Sequence, residues 1–116
     1  MEMKIGGVGI DCADLDGMTA FWSGALAYEV ARRDGAYAAL KDPAGRGPVL
    51  FMQKVPEPKI GKNRLHIDLY TTEMEGEAAR LIDLGAGHKK DFDGWIVLTD
   101  PEGNEFCVCK AEPGEM

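Results

Sequence analysis

The sequence predicts an α+β fold made of two similar βαβββ units in one chain. Runs of alternating apolar and polar residues, typical of strands with one buried face, recur along its length. Two stretches with apolar residues at helical spacing each follow such a run. The turn sequence D-P-A-G at 42–45 returns as D-P-E-G at 100–103, which indicates an internal repeat.

The first half predicts the order strand, helix and three strands. A strand is predicted from Lys4 to Cys12, and Asp14 is expected to cap a helix from Leu15 to about Ala27. The apolar stripe of that helix includes Trp22, which is expected in the core. The remaining strands are predicted at 28–33, 37–41 and 49–54.

The second half repeats this order. A strand is predicted at 64–70, and Thr72 with Glu75 predicts a capping box at the start of a helix. That helix is expected to end near Gly85 and to turn Ala78, Leu81 and Ile82 inward. The other strands are predicted at 88–92, 95–99 and 105–110. We therefore expect a single domain, 1–116, with modules at about 3–54 and 64–110 and a linker at 55–63.

Composition excludes several classes of partner. The 116 residues are enough for one domain, and the net charge of -7 argues against nucleic acid or an anionic membrane surface as a partner. No stretch approaches the roughly 20 apolar residues of a membrane span. Three cysteines without framework spacing favour reduced thiols, so a cytoplasmic location is expected.

Strand alternation predicts which side chains are buried. In the stretch L-H-I-D-L-Y, 65–70, the apolar residues Leu65, Ile67 and Leu69 are expected under a helix, and the polar ones on the open face. The same parity places further residues in the core: Val8, Ile10, Cys12, Leu50, Met52, Phe106 and Val108. The opposite parity mixes polar and apolar residues, which is typical of small-molecule pockets.

Four motifs carry a resemblance to a known superfamily: I-D-C-A-D (10–14), A-F-W (20–22), L-H-I-D-L (65–69) and D-P-E-G-N-E-F-C-V (100–108). With the paired βαβββ units, they resemble the glyoxalase-like branch, common in bacteria, of the vicinal oxygen chelate superfamily, also called the glyoxalase/bleomycin-resistance/dioxygenase fold. The resemblance covers essentially the whole chain and implies a cleft formed by the two modules and a homodimer. It does not select a reaction, because this fold hosts isomerases, lyases, dioxygenases and drug binders.

The resemblance also implies where a metal would be held. Metal-using members place one ligand on each of four strands, and these positions fall here on Gly7 (or Gly9), Phe51, His66 and Cys107. Only His66 matches a family ligand. We therefore expect no metal cofactor; a divalent ion (Zn, Ni, Mn or Fe) is the alternative.

The expected function is the binding of a small aromatic or amphipathic molecule, similar to the drug-sequestering members of the superfamily. The expected ligand-binding residues are Phe51, Gln53, His66, Asp68, Tyr70 and Cys107. The alternative is a divergent lyase or isomerase in which His66 is the base or the sole retained metal ligand, with His66, Asp68 and Glu105 as catalytic candidates.

Two features leave alternatives open. Cys107 and Cys109 share the open face, where they could act as small hydrophobes or join His66 in a soft Zn or Cu site. The side of the sheet to which Trp95 points is not fixed by its strand.

Overall fold

The computed structural model describes residues 2–116 and divides into two compact units, one ending at Lys59 and the other running from Ile60 to Met116. Each unit is a βαβββ module with a four-stranded sheet. The predicted α+β class and the internal repeat are therefore confirmed. Among the described residues, no helix is long and apolar enough to span a membrane.

The first unit contains five elements in the predicted order. They are β1 (Gly7–Cys12), α1 (Leu15–Leu26), β2 (Glu29–Arg33), β3 (Tyr37–Lys41) and β4 (Val49–Lys54). The sheet order is β1-β4-β3-β2, in which β1 is parallel to β4 and the other pairs are antiparallel. Asp14 caps α1 as predicted, because its carboxylate accepts the Gly17 N–H at 3.0 Å.

The second unit repeats that arrangement. Its elements are β5 (Ile67–Thr71), α2 (Met74–Asp83), β6 (Gly87–Phe92), β7 (Trp95–Thr99), β8 (Glu105–Lys110) and a 3₁₀ turn at Pro113–Glu115. The sheet order is β5-β8-β7-β6, with β5 parallel to β8. The strand partners of the first unit therefore recur one for one in the second.

The predicted capping box at Thr72 and Glu75 is wrong. The N-cap of α2 is Glu73, and its side chain makes no capping hydrogen bond. The reason lies in the preceding strand, which extends to Thr71. The Glu73 N–H donates a hydrogen bond to the hydroxyl oxygen of Thr71, with N and Oγ1 3.0 Å apart. The helix therefore begins one residue later than the motif predicted.

Each helix lies over the inner strands of its sheet, α1 on β3 and β4 and α2 on β7 and β8. The core follows this placement: Trp22, Leu50, Met52, Phe106 and Val108 are all at most 4% exposed. The edge strands β1 and β5 are covered less, so Ile10, Ile67 and Leu69 are only half-buried.

Three residues predicted to be buried are therefore exposed. Leu65 is 87% exposed, because it precedes the edge strand β5 and no helix covers it. Val8 lies on β1, an edge strand of the first unit, and is 37% exposed. Ile82 is 41% exposed, since the buried stripe of α2 runs through Met74, Ala78 and Leu81 and leaves Ile82 at its margin.

The repeated D-P-x-G sequences are turns, each anchored by its buried aspartate. The carboxylate of Asp42 accepts the N–H groups of Ala44 at 2.9 Å and Arg46 at 3.2 Å, and these hydrogen bonds, the Ala44 one above all, hold its pKa below the usual range. Asp100 is 3% exposed and accepts the N–H groups of Glu102 and Asn104 at 2.9 and 3.0 Å. The motif therefore explains how the chain turns before the last strand of each unit.

Candidate functional site

The centre of the candidate site is a pair of polar side chains at the start of β5. His66 directly precedes β5 and Asp68 lies within it, and the two side chains point to the same side. The His66 Nε2 lies 3.1 Å from Asp68 Oδ1, so the two side chains tilt toward each other and form an ion pair whenever the imidazole is protonated. Both remain substantially exposed, His66 by 54% and Asp68 by 45%.

Cys107 joins this pair from the neighbouring strand. Asp68 and Cys107 are partners in the parallel ladder of β5 and β8, which places their side chains side by side. One potential ligand atom from each of His66, Asp68 and Cys107 lies within 4.8 Å of the others. The structure therefore brings together three of the residues that the sequence singled out.

These side chains open into a pocket of about 350 Å³ on the face of the second sheet opposite α2. Its lining comes entirely from the second unit: His66, Asp68, Gly94, Trp95, Cys107 and Cys109. The volume is within the range of small-molecule sites, which bring a few polar groups into an otherwise apolar surface.

The two pocket cysteines are thiols rather than thiolates near neutral pH. Burial raises the pKa of Cys107 to about 11, and the negative charge of Asp68 adds to the shift. Burial and Asp68 also raise the pKa of Cys109. Because only the thiolate is a strong nucleophile, neither cysteine is prepared for nucleophilic attack in this state. Both thiols therefore present a weakly polar surface to the pocket.

Trp95 supplies an aromatic wall whose direction the sequence did not fix. Ile96 and Leu98 are buried under the helix, so the alternation of β7 turns Trp95 to the open face. There its ring stacks on Phe92 across the hairpin, with centroids 4.7 Å apart and an interplanar angle of 9°. Trp95 stays 41% exposed, which leaves ring surface available to a ligand.

Glu105 is held by two lysines. Its carboxylate pairs with the ammonium groups of Lys62 and Lys89, and only 16% of its side chain is exposed. Hydrogen bonds from Lys62 first and Lys89 second lower the pKa of Glu105 to about 2. A carboxyl group with that pKa is ionised at ordinary pH and cannot act as a general acid, which argues for a structural role.

The other predicted ligand-binding residues do not line this pocket. Tyr70 is on the same face of the second sheet, 55% exposed, and pairs in register with Cys109. Phe51 and Gln53 belong to β4 of the first unit. There Phe51 stacks on Tyr37 with centroids 5.5 Å apart, and Gln53 is exposed.

The glyoxalase-like domain model matches residues 7–109, which is nearly the whole chain. The chain belongs to the glyoxalase-like domain family. This places it in the vicinal oxygen chelate superfamily, as the sequence motifs indicated. No curated protein matches the sequence at a significant level.

Solved structures share the glyoxalase-like fold at low sequence identity. A mutant of the fosfomycin resistance protein FosX from Listeria monocytogenes, complexed with Mn(II) and 1S,2S-dihydroxypropylphosphonic acid, is 16% identical with a TM-score of 0.78, over 99% of this chain and 95% of that one. A glyoxalase-related enzyme from Fulvimarina pelagi is 14% identical with a TM-score of 0.76, over 93% of this chain and 88% of that one. A possible glyoxalase from Bacillus cereus is 20% identical with a TM-score of 0.71, over 93% of this chain and 99% of that one.

A four-strand metal site of the kind used by metal-dependent superfamily members does not fit the first unit of this glyoxalase-like chain. Gly7 offers no side chain, and the Phe51 ring occupies the space where a Cβ on Gly7 would lie. That ring in turn stacks on Tyr37, so hydrocarbon fills the position. Donor atoms are present only at the second-unit positions, where His66 and Cys107 lie beside Asp68.

Proposed function

We propose that this glyoxalase-like protein binds a small aromatic or amphipathic molecule in the second-unit pocket, without the four-strand metal site. One observation carries the proposal: the accessible ring of Trp95 and the His66–Asp68 pair line the same pocket. A flat ligand would stack on Trp95 and direct its polar end to His66 and Asp68.

The chemistry of the lining supports this type of ligand. Stacked aromatic rings gain about 0.5–1.5 kcal/mol beyond the burial of their area. The protonated thiols of Cys107 and Cys109 add weakly polar surface, so the hydrogen-bonding capacity is concentrated on one side. His66 has one nitrogen engaged with Asp68 and a second ring nitrogen that is a donor or an acceptor.

The test starts from protein treated with chelator and screened by thermal shift against planar aromatic metabolites. Hits are then titrated by intrinsic fluorescence. Trp22 is 1% exposed in the core of the first unit, so quenching by a bound ligand reports chiefly on Trp95. Stabilising hits that quench this fluorescence are the expected result.

Matched histidine variants locate the ligand. His66→Ala should weaken binding by about 1–2 kcal/mol through loss of a hydrogen bond. His88→Ala is the control, because His88 also pairs with a carboxylate, Asp91 Oδ1 at 2.7 Å, but does not line the pocket. Trp95→Leu should remove the quenching and weaken every aromatic hit. Equal affinity in wild type, His66→Ala and Trp95→Leu would refute the proposed binding site.

A second candidate function rests on the 3.1 Å contact between His66 and Asp68. A carboxylate beside imidazole fixes the orientation and tautomer of the ring, which suits a general base in a lyase or isomerase. Conversion of a bound hit should then fall sharply in both His66→Ala and Asp68→Asn and be unchanged in His88→Ala. Ligand binding without turnover in wild type would exclude this candidate for that ligand.

We further propose that the two modules act as a single domain and that the chain forms a homodimer. The support is the family resemblance, together with structural neighbours that match the chain over most of its length. Light scattering coupled to size exclusion measures the mass directly. A single species at 12.6 kDa would contradict the dimer.

A further inference from the structure

We propose that His66, Asp68 and Cys107 form a site for a soft divalent transition-metal ion, with Zn²⁺ as the preferred ion. The site would be held by the second unit alone. It therefore differs from an arrangement that draws ligands from four strands of both modules. The proposal goes beyond small-molecule binding, which needs no metal.

The geometry of the three side chains is close to that of a coordination shell. In tetrahedral zinc sites the metal–ligand bonds are about 2.0–2.3 Å, so neighbouring ligand atoms are about 3.3–3.8 Å apart. His66 Nε2 and Asp68 Oδ1 are 3.1 Å apart, and the three donor atoms all lie within 4.8 Å. A side-chain adjustment of about 1 Å would bring all three donor atoms to the spacing of zinc ligands.

That adjustment needs no movement of the backbone. Asp68 and Cys107 are fixed opposite each other by the β5–β8 ladder. His66 and Asp68 are roughly half exposed, so their side chains have room to rotate. The ladder therefore sets the Cα positions of Asp68 and Cys107, and rotation of the exposed side chains of His66 and Asp68 supplies the adjustment.

The donor types select the class of ion. One imidazole nitrogen, one carboxylate oxygen and one sulfur suit Zn²⁺, whereas Mg²⁺ and Ca²⁺ require oxygen ligands. On binding, the Cys107 Sγ–H bond breaks, the proton passes to solvent and the thiolate sulfur bonds the ion. Three protein ligands leave a fourth coordination position for water or a ligand, as in catalytic zinc sites.

Co²⁺ is the probe for the test, because it takes the same tetrahedral positions as Zn²⁺ and its spectrum identifies the ligands. Titration of chelator-treated protein should give intense visible bands of a tetrahedral ion and a near-ultraviolet thiolate-to-cobalt band. Zn²⁺ should displace the Co²⁺ and abolish both. The sulfur band is a readout of coordination that requires no enzyme activity.

Variants assign the ligands. Cys107→Ser should abolish the sulfur band and weaken Zn²⁺ binding by more than about 100-fold, because removal of a direct ligand exceeds the effect of its supporting partners. Cys109→Ser is the matched control: Cys109 shares strand and face but lies outside the three-residue group, so the band should persist. His66→Ala should weaken Zn²⁺ binding, and His88→Ala should not. Circular dichroism confirms that each variant is folded.

Three results would overturn the proposal. They are a wild-type protein without a thiolate band at excess Co²⁺, a band that persists in Cys107→Ser, and a band that is lost in Cys109→Ser. The aromatic screen is run in chelator, so a failure of the metal site leaves that result intact. Equally, a failed screen leaves the cobalt titration interpretable.

Discussion

Replacement of Asp100 by alanine tests the role of the buried aspartate in the turn that leads into β8. The Asp100 carboxylate accepts the N–H groups of Glu102 at 2.9 Å and Asn104 at 3.0 Å, and it also accepts the Asn104 side-chain amide at 2.8 Å. Alanine removes every one of these acceptors from a position that is 3% exposed. The strand that carries Cys107 would then begin from an unsupported turn.

The expected loss follows from the groups left without a partner. A buried donor that loses its acceptor costs about 1–3 kcal/mol. Glu102 and Asn104 are half-buried, so water satisfies their N–H groups in part. We therefore take the lower half of that range, about 1–2 kcal/mol, for each of the two N–H groups and expect Asp100→Ala to reduce the free energy of unfolding by about 2–4 kcal/mol.

Urea denaturation followed by circular dichroism measures this change. Asp100→Asn is the first control: it keeps one carbonyl acceptor, so its loss should be smaller. Asp93→Ala is the second, because Asp93 is an exposed turn residue of the same unit and its replacement should cost less than about 0.5 kcal/mol. If Asp100→Ala were as stable as Asp93→Ala, the turn hydrogen bonds would not contribute as argued.

Three further predictions follow from the packing and the charges. The pKa of Glu105 falls on folding from its ordinary value of 4.5 to about 2. Its contribution to stability is therefore present above pH 4.5 and is lost as the pH falls toward 2, so melting temperatures of Glu105→Gln should depend less on pH across that window than those of wild type. Gly7→Ala should destabilise the protein by about 1–3 kcal/mol, because the added Cβ would overlap the Phe51 ring. Gly9→Ala is the control, since a Cβ there meets nothing within 4 Å and should not destabilise the protein; the urea midpoints of the two variants measure the difference. Phe106 is 1% exposed, so Phe106→Ala should reduce the free energy of unfolding by about 3–5 kcal/mol. Leu65→Ser should change it by less than about 0.5 kcal/mol, and a loss as large as that of Phe106→Ala would contradict the exposure of Leu65.

Much of the fold could be predicted because the signals are local. Alternating hydrophobicity and turn residues act over a few positions, so β3, β4, β7 and β8 begin and end where the sequence placed them. The Asp14 cap is likewise a contact within one helical turn. The errors in local structure are small by comparison, such as the N-cap of α2 at Glu73.

Contacts between distant residues were beyond the sequence. Lys62 and Lys89 are far apart in sequence and meet at Glu105 only in the folded second unit. Trp95 points to the open face of the sheet because the helix covers Ile96 and Leu98 on the opposite face. The 3.1 Å contact between His66 and Asp68 depends on the tilt of the two side chains.

The sequence by itself determined the two βαβββ modules, the family motifs and the parity of His66 and Asp68, since each depends on spacing along the chain. Only the tertiary structure decided which strands the helices cover, and hence that Leu65 is exposed. It also decided that Cys107 lies beside Asp68, because the register of two strands far apart in sequence is fixed by the packing of the whole sheet.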